Sequence, residues 1–201
     1  MKPSPPARPR GRPRAFDENH FLDASIALFS GLGFAGVSMS DITKASGLTT
    51  GSIYKAYKDK EGVFVRALIR YIALRDIEIE ARLSCLPDAR SRIGALLQHF
   101  AELSQGRDGR LGCMVVSGVA DLDLVDDAAK ILRRQLDSRR HLLEQLLREG
   151  REDGSIAEDV DPATLAVVLL ALQQGMRVLG KVDIMDLDRD AFVRGALRLL
   201  D

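Results

Sequence analysis

The stretch that most constrains the fold is Ser38–Glu61, SMSDITKASGLTTGSIYKAYKDKE. Ser38 and Asp41 have the spacing of a capping box, with Asp in place of the usual Glu or Gln. They predict a short helix that Gly47 stops. Met39, Ile42 and Ala45 are expected to face inward. Leu48 plugs the turn, and Thr49 caps a second helix running from Thr50 to about Lys58. On it, Ile53 and Tyr57 share one face. The rest of that helix is small, polar or basic, and a helix with so few apolar anchors does not hold itself together in water. Its composition is better explained by what it presents than by what it buries. Asp59 then caps a third helix, which opens with Lys60 and Glu61.

Helix, glycine-containing turn, helix is the plan of a helix-turn-helix, whose second helix enters the major groove of DNA. Thr49, Thr50, Gly51 and Ser52 are small enough at the helix start for close approach to backbone and base edges. Lys55 suits a guanine or a phosphate, and Tyr54 suits a phosphate or a thymine methyl. Ser40, Thr43 and Lys58 are phosphate candidates. Lys60 is expected to add its charge to the free N–H groups of the next helix on a further phosphate.

The flanks fit this reading. Residues 1–15, MKPSPPARPRGRPRA, hold five prolines and five basic residues. Proline lacks an N–H and fixes φ, so a flexible basic arm is expected there. Arg10-Gly11-Arg12-Pro13 resembles an AT-hook core, and Arg12 and Arg14 are candidates for a narrow minor groove. Over the whole chain 29 basic residues balance 29 acidic ones. Residues 1–62 nevertheless carry +3 and the remainder −3, which puts the polyanion-binding end first.

The remaining chain reads as all-α. Asp17 caps a helix to about Leu32, ended by Gly31 and Gly33. The helix opened by Lys60 runs to about Leu83, and Asp88 caps another over Ile93–Phe100. Gln105–Gly112 is expected as a glycine-rich loop, residues 111–121 as compact and at least partly helical, and Asp123–Asp153 as one long amphipathic helix. Asp161-Pro162 starts an apolar helix to Gly180. Asp186 or Asp188 caps a last helix ending at Leu200. The expectation is about nine helices in three parts: an arm (1–15), a three-helix DNA-binding domain (16–62) and a helical ligand-binding and dimerisation domain (63–201).

Residues 15–64 resemble the DNA-binding domain of the tetracycline-repressor (TetR) family of bacterial transcription regulators. The resemblance rests on Phe21-Leu22-Asp23-Ala24, Leu28-Phe29, Gly33-Phe34, Ser38-Met39, Asp41-Ile42, Gly47-Leu48-Thr49, Gly51-Ser52-Ile53-Tyr54, Tyr57 and Lys60-Glu61, in matching order and spacing. Lys58 departs from the family, which often has Pro or Gly there. Residues 65–201 match in helix plan, with a local likeness of Leu111–Val116 to one subgroup. The resemblance implies a homodimer on a palindromic double-stranded operator, in most cases a repressor, released when a small molecule enters the C-terminal domain.

Residue chemistry supplies candidates for those roles. The helix at 162–180 is apolar nearly all round, which implies burial in a core or at a subunit interface. With the last helix it offers Val168, Leu172, Leu179, Phe192, Ala196 and Leu197 as a four-helix dimer interface. For an effector pocket the candidates are His99, Phe100, Cys113, Met114, Ser117, Gln173 and Met176, with Gln98 and Gln174 beside them. Cys85 and Cys113 have neither disulfide nor zinc spacing, and no cofactor or metal is expected. They fit a reducing cytoplasm, where the nucleoid lies. The basic N-terminus has no apolar core of a signal peptide. The longest wholly apolar run, ending at Leu172, is far shorter than the ~20 residues that span a bilayer. No nucleophile elbow, phosphate loop or paired-histidine motif is present, so an enzyme is not expected. The rival reading is a DNA-binding protein that answers to no ligand, or an architectural one that uses the basic arm without operator specificity.

Overall fold

A computed structural model describes residues 17–201, and among them it contains no β-strand. The head is α1 (Glu18–Gly36), α2 (Met39–Ser46) and α3 (Thr50–Tyr57). The body is α4 (Lys60–Leu83), α5 (Ala89–Leu103), α6 (Gly106–Leu111), α7 (Met114–Ala120), α8 (Asp127–Glu152), α9 (Pro162–Lys181) and α10 (Arg189–Leu197). Short 3-10 turns occupy Leu122–Leu124 and Arg198–Leu200. The arm, with Arg12 and Arg14, lies outside the described residues.

Local capping explains most of the boundaries. Asp17, Ser38, Thr49, Asp59, Asp88, Asp161 and Asp188 each accept a backbone N–H from the first turn of the helix that follows. Each such cap stabilises its helix by ~1 kcal/mol. The capping box is complete: Ser38 N–H donates to Asp41 Oδ2 at 2.9 Å, and Asp41 N–H donates to Ser38 Oγ at 3.2 Å.

Three boundaries differ from the sequence expectation. The glycine-rich stretch before Gly112 is a helical turn, α6, because Gly109 packs directly on the Ser104 backbone. The long helix begins at Asp127 and not at Asp123, since Leu122–Leu124 turns more tightly. α1 does not stop at Leu32: Gly33 kinks it at φ 74° and one further turn follows. A Cβ at Gly33 would sit 2.7 Å from Asp121 Oδ2, which also accepts the Ala35 N–H at 3.0 Å. Ala45, expected inward, is exposed.

The chain builds two hydrophobic cores on shared beams. The first unites the head with the start of α4, with α7 and with the start of α8. At its centre the Phe64 ring meets Phe29 and Phe34 edge-on, at 4.9 and 5.4 Å between centroids. The second is built from α5, α9, α10 and the far parts of α4 and α8, around Leu97, Leu143, Leu147 and Leu169. α4 and α8 therefore run through both. The expected boundary between residues 62 and 63 falls within the first turn of α4, where packing is continuous.

α9 has 20 residues and a mean hydropathy of 1.4 over its most apolar stretch. It is the one helix among the described residues long and apolar enough to cross a membrane. Its apolar side chains are split between two jobs. Ala166, Leu169 and Met176 are buried in the second core, while Val167, Val168, Val178 and Leu179 stand exposed on the outside. Leu172, Phe192, Ala196 and Leu197 are half-buried against the same core.

Gly62 holds α3 against α4. A Cβ there would collide with the Tyr57 carbonyl oxygen at the end of α3, and rigid backbone cannot yield as a side chain can. Gly62→Ala is expected to destabilise the fold by about 2 kcal/mol or more, measured as a lowered urea midpoint at unchanged slope.

Candidate DNA-binding surface and internal cavity

The recognition helix α3 is anchored by two side chains. Ile53 is fully buried, and the Tyr57 ring stacks on Phe21 with centroids 4.9 Å apart. The Tyr57 hydroxyl donates to Glu18 Oε1 at 3.3 Å, and Arg66 holds the same carboxylate at 3.1 Å. Burial, then the charge of Glu18, pushes the phenol up to about 12, so it remains a donor. Further along, Arg70 clasps Asp23 through two nitrogens at 2.7 and 3.1 Å and reaches Asn19 at 2.8 Å, locking α4 to α1.

With its inner face so held, α3 turns Thr50, Gly51, Ser52, Tyr54 and Lys55 to solvent. Thr49 Oγ1 accepts the Ser52 N–H at 3.3 Å and lies 2.9 Å from Ser52 Oγ. Thr43 Oγ1, which donates to the Met39 carbonyl at 2.8 Å, lies 3.4 Å from Thr50 Oγ1 and ties α2 to α3. A Cβ at Gly51 would meet no protein atom within 4 Å, so nothing inside the fold requires glycine there. Ser40 on α2 is exposed as well.

Lys58 is exposed and ends α3 at φ 71°, ψ −54°. The Asp59 N–H donates across it to the Tyr57 carbonyl at 2.8 Å. This is a γ-turn, a strained conformation for any residue with a side chain.

Lys60 is corrected by the structure. Its Nζ donates to the carbonyls of Phe34 and Val37 at 2.9 and 3.0 Å and sits 4.2 Å above the Phe34 ring. It braces the α1–α2 link from inside and is not free to meet a phosphate. Lys60→Met is expected to cost about 2 kcal/mol of stability, seen in thermal or urea melts, while leaving the salt dependence of DNA binding unchanged.

Below the head, a cavity of about 50 Å³ opens among α4, α5, α8 and α9. Ile72, Ile79, Phe100, Leu103 and Leu136 give it apolar walls, and Tyr71, Arg75, His99, Cys113, Gln135, Arg139, Gln174 and Arg177 add polar groups. Of the sequence candidates, His99, Phe100, Cys113 and Gln174 line it. Met114, Ser117, Gln173 and Met176 do not. Met114 is buried in the first core and Met176 in the second. Ser117 Oγ donates to the Phe29 carbonyl at 3.0 Å, joining α7 to α1, and Gln98 reaches Asp190 at 3.3 Å. Gln173 is wholly buried, with both amide atoms unpartnered.

Sequence reasoning missed the three arginines and Tyr71. Arg177 carried a signal, as the lone charge between Pro162 and Gly180 in an otherwise apolar helix. The Tyr71 hydroxyl donates to Cys113 Sγ at 3.4 Å. Burial, and then the cysteine, raises that phenol above its ordinary value.

His99 is 3% exposed and neither ring nitrogen has a hydrogen-bond partner. Glu78 stands 3.7 Å from Nε2, an attraction that matters only when the ring is charged. Burial, then the charge of Arg82, lowers the imidazole to about 4, so the ring is neutral at pH 7. A group whose folded pKa is depressed stabilises the fold above its unfolded value and loses that contribution as pH falls. The window here runs from about 6.5 down to about 4. His99→Leu is expected to flatten the loss of stability across that window, by up to about 3 kcal/mol, in chemical melts taken at stepped pH.

A short helix anchored on buried side chains, with a polar outer face and raised on a helical body that holds a cavity, defines a helix-turn-helix DNA-binding protein. Residues 21–67 match the model of the bacterial regulatory proteins of the tetR family. Residues 89–193 match the tetracyclin repressor-like C-terminal domain. The chain belongs to the TetR family and is a DNA-binding transcriptional regulator. It is 30% identical over 173 residues to the transcriptional repressor ComR of Escherichia coli K12, covering 84% of this chain and 81% of that one. Among solved structures, the TetR-family regulator CifR bound to a 26-base-pair operator superposes with a TM-score of 0.78 at 28% identity, over 93% of this chain and 98% of CifR. The reduced form of E. coli NemR shares the fold, with a TM-score of 0.76 at 24% identity over 91% and 94%.

Proposed function

We propose that the protein is a repressor that grips a palindromic operator as a homodimer and lets go when a small molecule enters the cavity beneath the head. The observation that carries this is α3: buried on Ile53 and Tyr57, and otherwise a row of small, aromatic and cationic groups turned to solvent. Thr50, Gly51, Ser52, Tyr54 and Lys55 read the major groove. Thr49 and Ser40, with Thr43 and Lys58, set the head on the phosphates. Arg12 and Arg14 of the arm take the minor groove. Residues 1–15 act as arm, 16–62 as DNA-binding unit and 63–201 as sensing and pairing unit. ComR is named a repressor, and CifR is bound to its operator. Those facts support the same roles here. Such a regulator works in the cytoplasm, at the nucleoid, and performs no catalysis of its own.

The exposed outer face of α9, with α10 beside it, forms the pairing surface. Val168, Leu172 and Leu179 project from α9, and Phe192, Ala196 and Leu197 extend the patch. Pairing across a two-fold axis sets two copies of α3 one turn of DNA apart, ~34–36 Å. Val168→Glu combined with Val178→Glu is expected to give a monomer in light scattering and to lose operator binding. A dimer of undiminished affinity in that variant would remove α9 from the interface.

The operator is to be found by selection from random duplexes and then titrated by fluorescence anisotropy. Tyr54→Ala and Lys55→Ala are each expected to weaken specific binding by ~1–3 kcal/mol with unchanged melts. Gly51→Ala is expected to weaken it too, while stabilising the helix by up to ~1 kcal/mol. Deleting residues 1–14 is expected to flatten the salt slope, by ~0.9 for each phosphate the arm no longer neutralises. Selection that yields no preferred sequence would favour architectural binding instead.

A further inference from the structure

Arg177 has more donors than partners. It is 2% exposed, in a wall of the cavity. One terminal nitrogen donates to the Gly112 carbonyl at 2.6 Å and to that of Asp108 at 3.3 Å. These carbonyls face it from the end of α6. Nε and the other terminal nitrogen are unpartnered. Among the described residues, no carboxylate oxygen lies within 4.0 Å of the guanidinium. The other arginines of the wall are each matched, Arg75 to Glu78 at 2.7 Å and Arg139 to Asp76 at 2.9 Å. A buried cation without a counter-ion is strongly unfavourable, whereas a buried pair with good geometry is tolerated.

What surrounds Arg177 limits the anion that fits. One unmatched cation calls for one negative charge. The terminal nitrogen common to both forks of the guanidinium is taken by the two carbonyls, so a carboxylate meets Nε–H or the other terminal nitrogen in a single charge-assisted bond. The cavity's 50 Å³ is the room of roughly three or four waters, so the remainder of the molecule is small. Phe100, Leu136 and Ile72 make that remainder apolar. His99, neutral and unpartnered, offers one donor and one acceptor at the same cavity.

We propose that the effector is a short-chain monocarboxylate whose carboxylate pairs with Arg177 and whose alkyl chain lies against Phe100 and Leu136. This rests on the reading of the cavity as the effector site. A phosphate dianion would leave one charge unmatched in an apolar chamber, and a neutral ligand would leave the Arg177 charge as it stands.

The test uses the full-length dimer with propanoate, butanoate, pentanoate and hexanoate, and with the four matching primary amides, in a carboxylate-free buffer. Calorimetry reads binding, and anisotropy on the selected operator reads release. At least one acid is expected to bind saturably and release the operator, its amide binding at least about tenfold more weakly, as befits loss of a charge-assisted pair. Arg177→Gln is expected to erase the preference and Arg177→Lys to restore part of it. Arg177 also holds α6, so melts of both variants accompany the titrations. The acid–amide comparison in the unmodified protein stands without them. Leu136→Trp, which fills the chamber, separates the two ideas. Equal binding of acid and amide, both lost in Leu136→Trp, keeps the cavity as effector site and overturns the anion. Acids that bind Leu136→Trp unchanged overturn the cavity reading itself. No binding by any of the four acids overturns the proposal.

Discussion

One carboxylate ties the start of α4, next to the head, to the start of α8. Glu61, on the first turn of α4, accepts the backbone N–H groups of Asp126, Asp127 and Ala128 at 2.7, 2.9 and 3.4 Å. α8 has no side-chain cap of its own, and Asp126 makes no such bond. The cap of the body's longest helix is therefore supplied from the element that follows the recognition helix. An anion at a helix N-terminus meets both the unpaired donors and the positive end of the dipole. Other bonds add to the junction. Lys181, at the end of α9, donates to the Gly31 carbonyl at 2.7 Å and to that of Leu111 at 3.1 Å. Asp121 accepts the Ala35 N–H, and Ser117 donates to the Phe29 carbonyl. α7 and α9 are thereby bonded directly to α1, and α8 is bonded to α4.

That arrangement places the cavity and the support of the proposed DNA surface on the same beams. Tyr71, Ile72, Arg75 and Ile79 of the cavity wall lie on α4, whose first turn carries Lys60, Glu61 and Gly62. Gln135, Leu136 and Arg139 lie on α8, whose first turn Glu61 caps. A molecule that separates α4 from α8 at the cavity works against the bond that joins them at their shared end. Arg177 adds a third member. It sits on α9 and holds the end of α6, next to Gly112 and Cys113, which lead into α7.

The head was legible in the sequence because its determinants are local. Ser38 with Asp41, Thr49 with Ser52, and Asp59 with Gly62 each act within one turn, and glycine marks the break between α2 and α3. Lys60 was misread because its partners, Phe34 and Val37, are supplied by a different element of the fold. α6 was misread for a related reason: Gly109 packs on the Ser104 backbone, and local propensity does not report that. The cavity was half legible. His99, Phe100, Cys113 and Gln174 emerge from residue type, yet Gln173 comes with Gln174, and Met176 takes the place of its neighbour Arg177. On a helix a shift of one residue turns a side chain by about 100°, enough to exchange the cavity for the core. Arg75 and Arg139 resembled ordinary solvent-facing charges. Only the packing of α4 against α8 puts them inside.

The γ-turn at Lys58 gives this chain a conflict at a single position. Its backbone suits glycine, and strain of this kind is worth on the order of 1–3 kcal/mol. Its side chain is a cation at the edge of the proposed DNA surface. Relief of the backbone and retention of the charge cannot be had together, so drift toward a sturdier fold and selection for a tighter grip pull this residue in opposite directions. Position 58 accordingly trades the rigidity of the α3–α4 junction against charge on the proposed DNA surface.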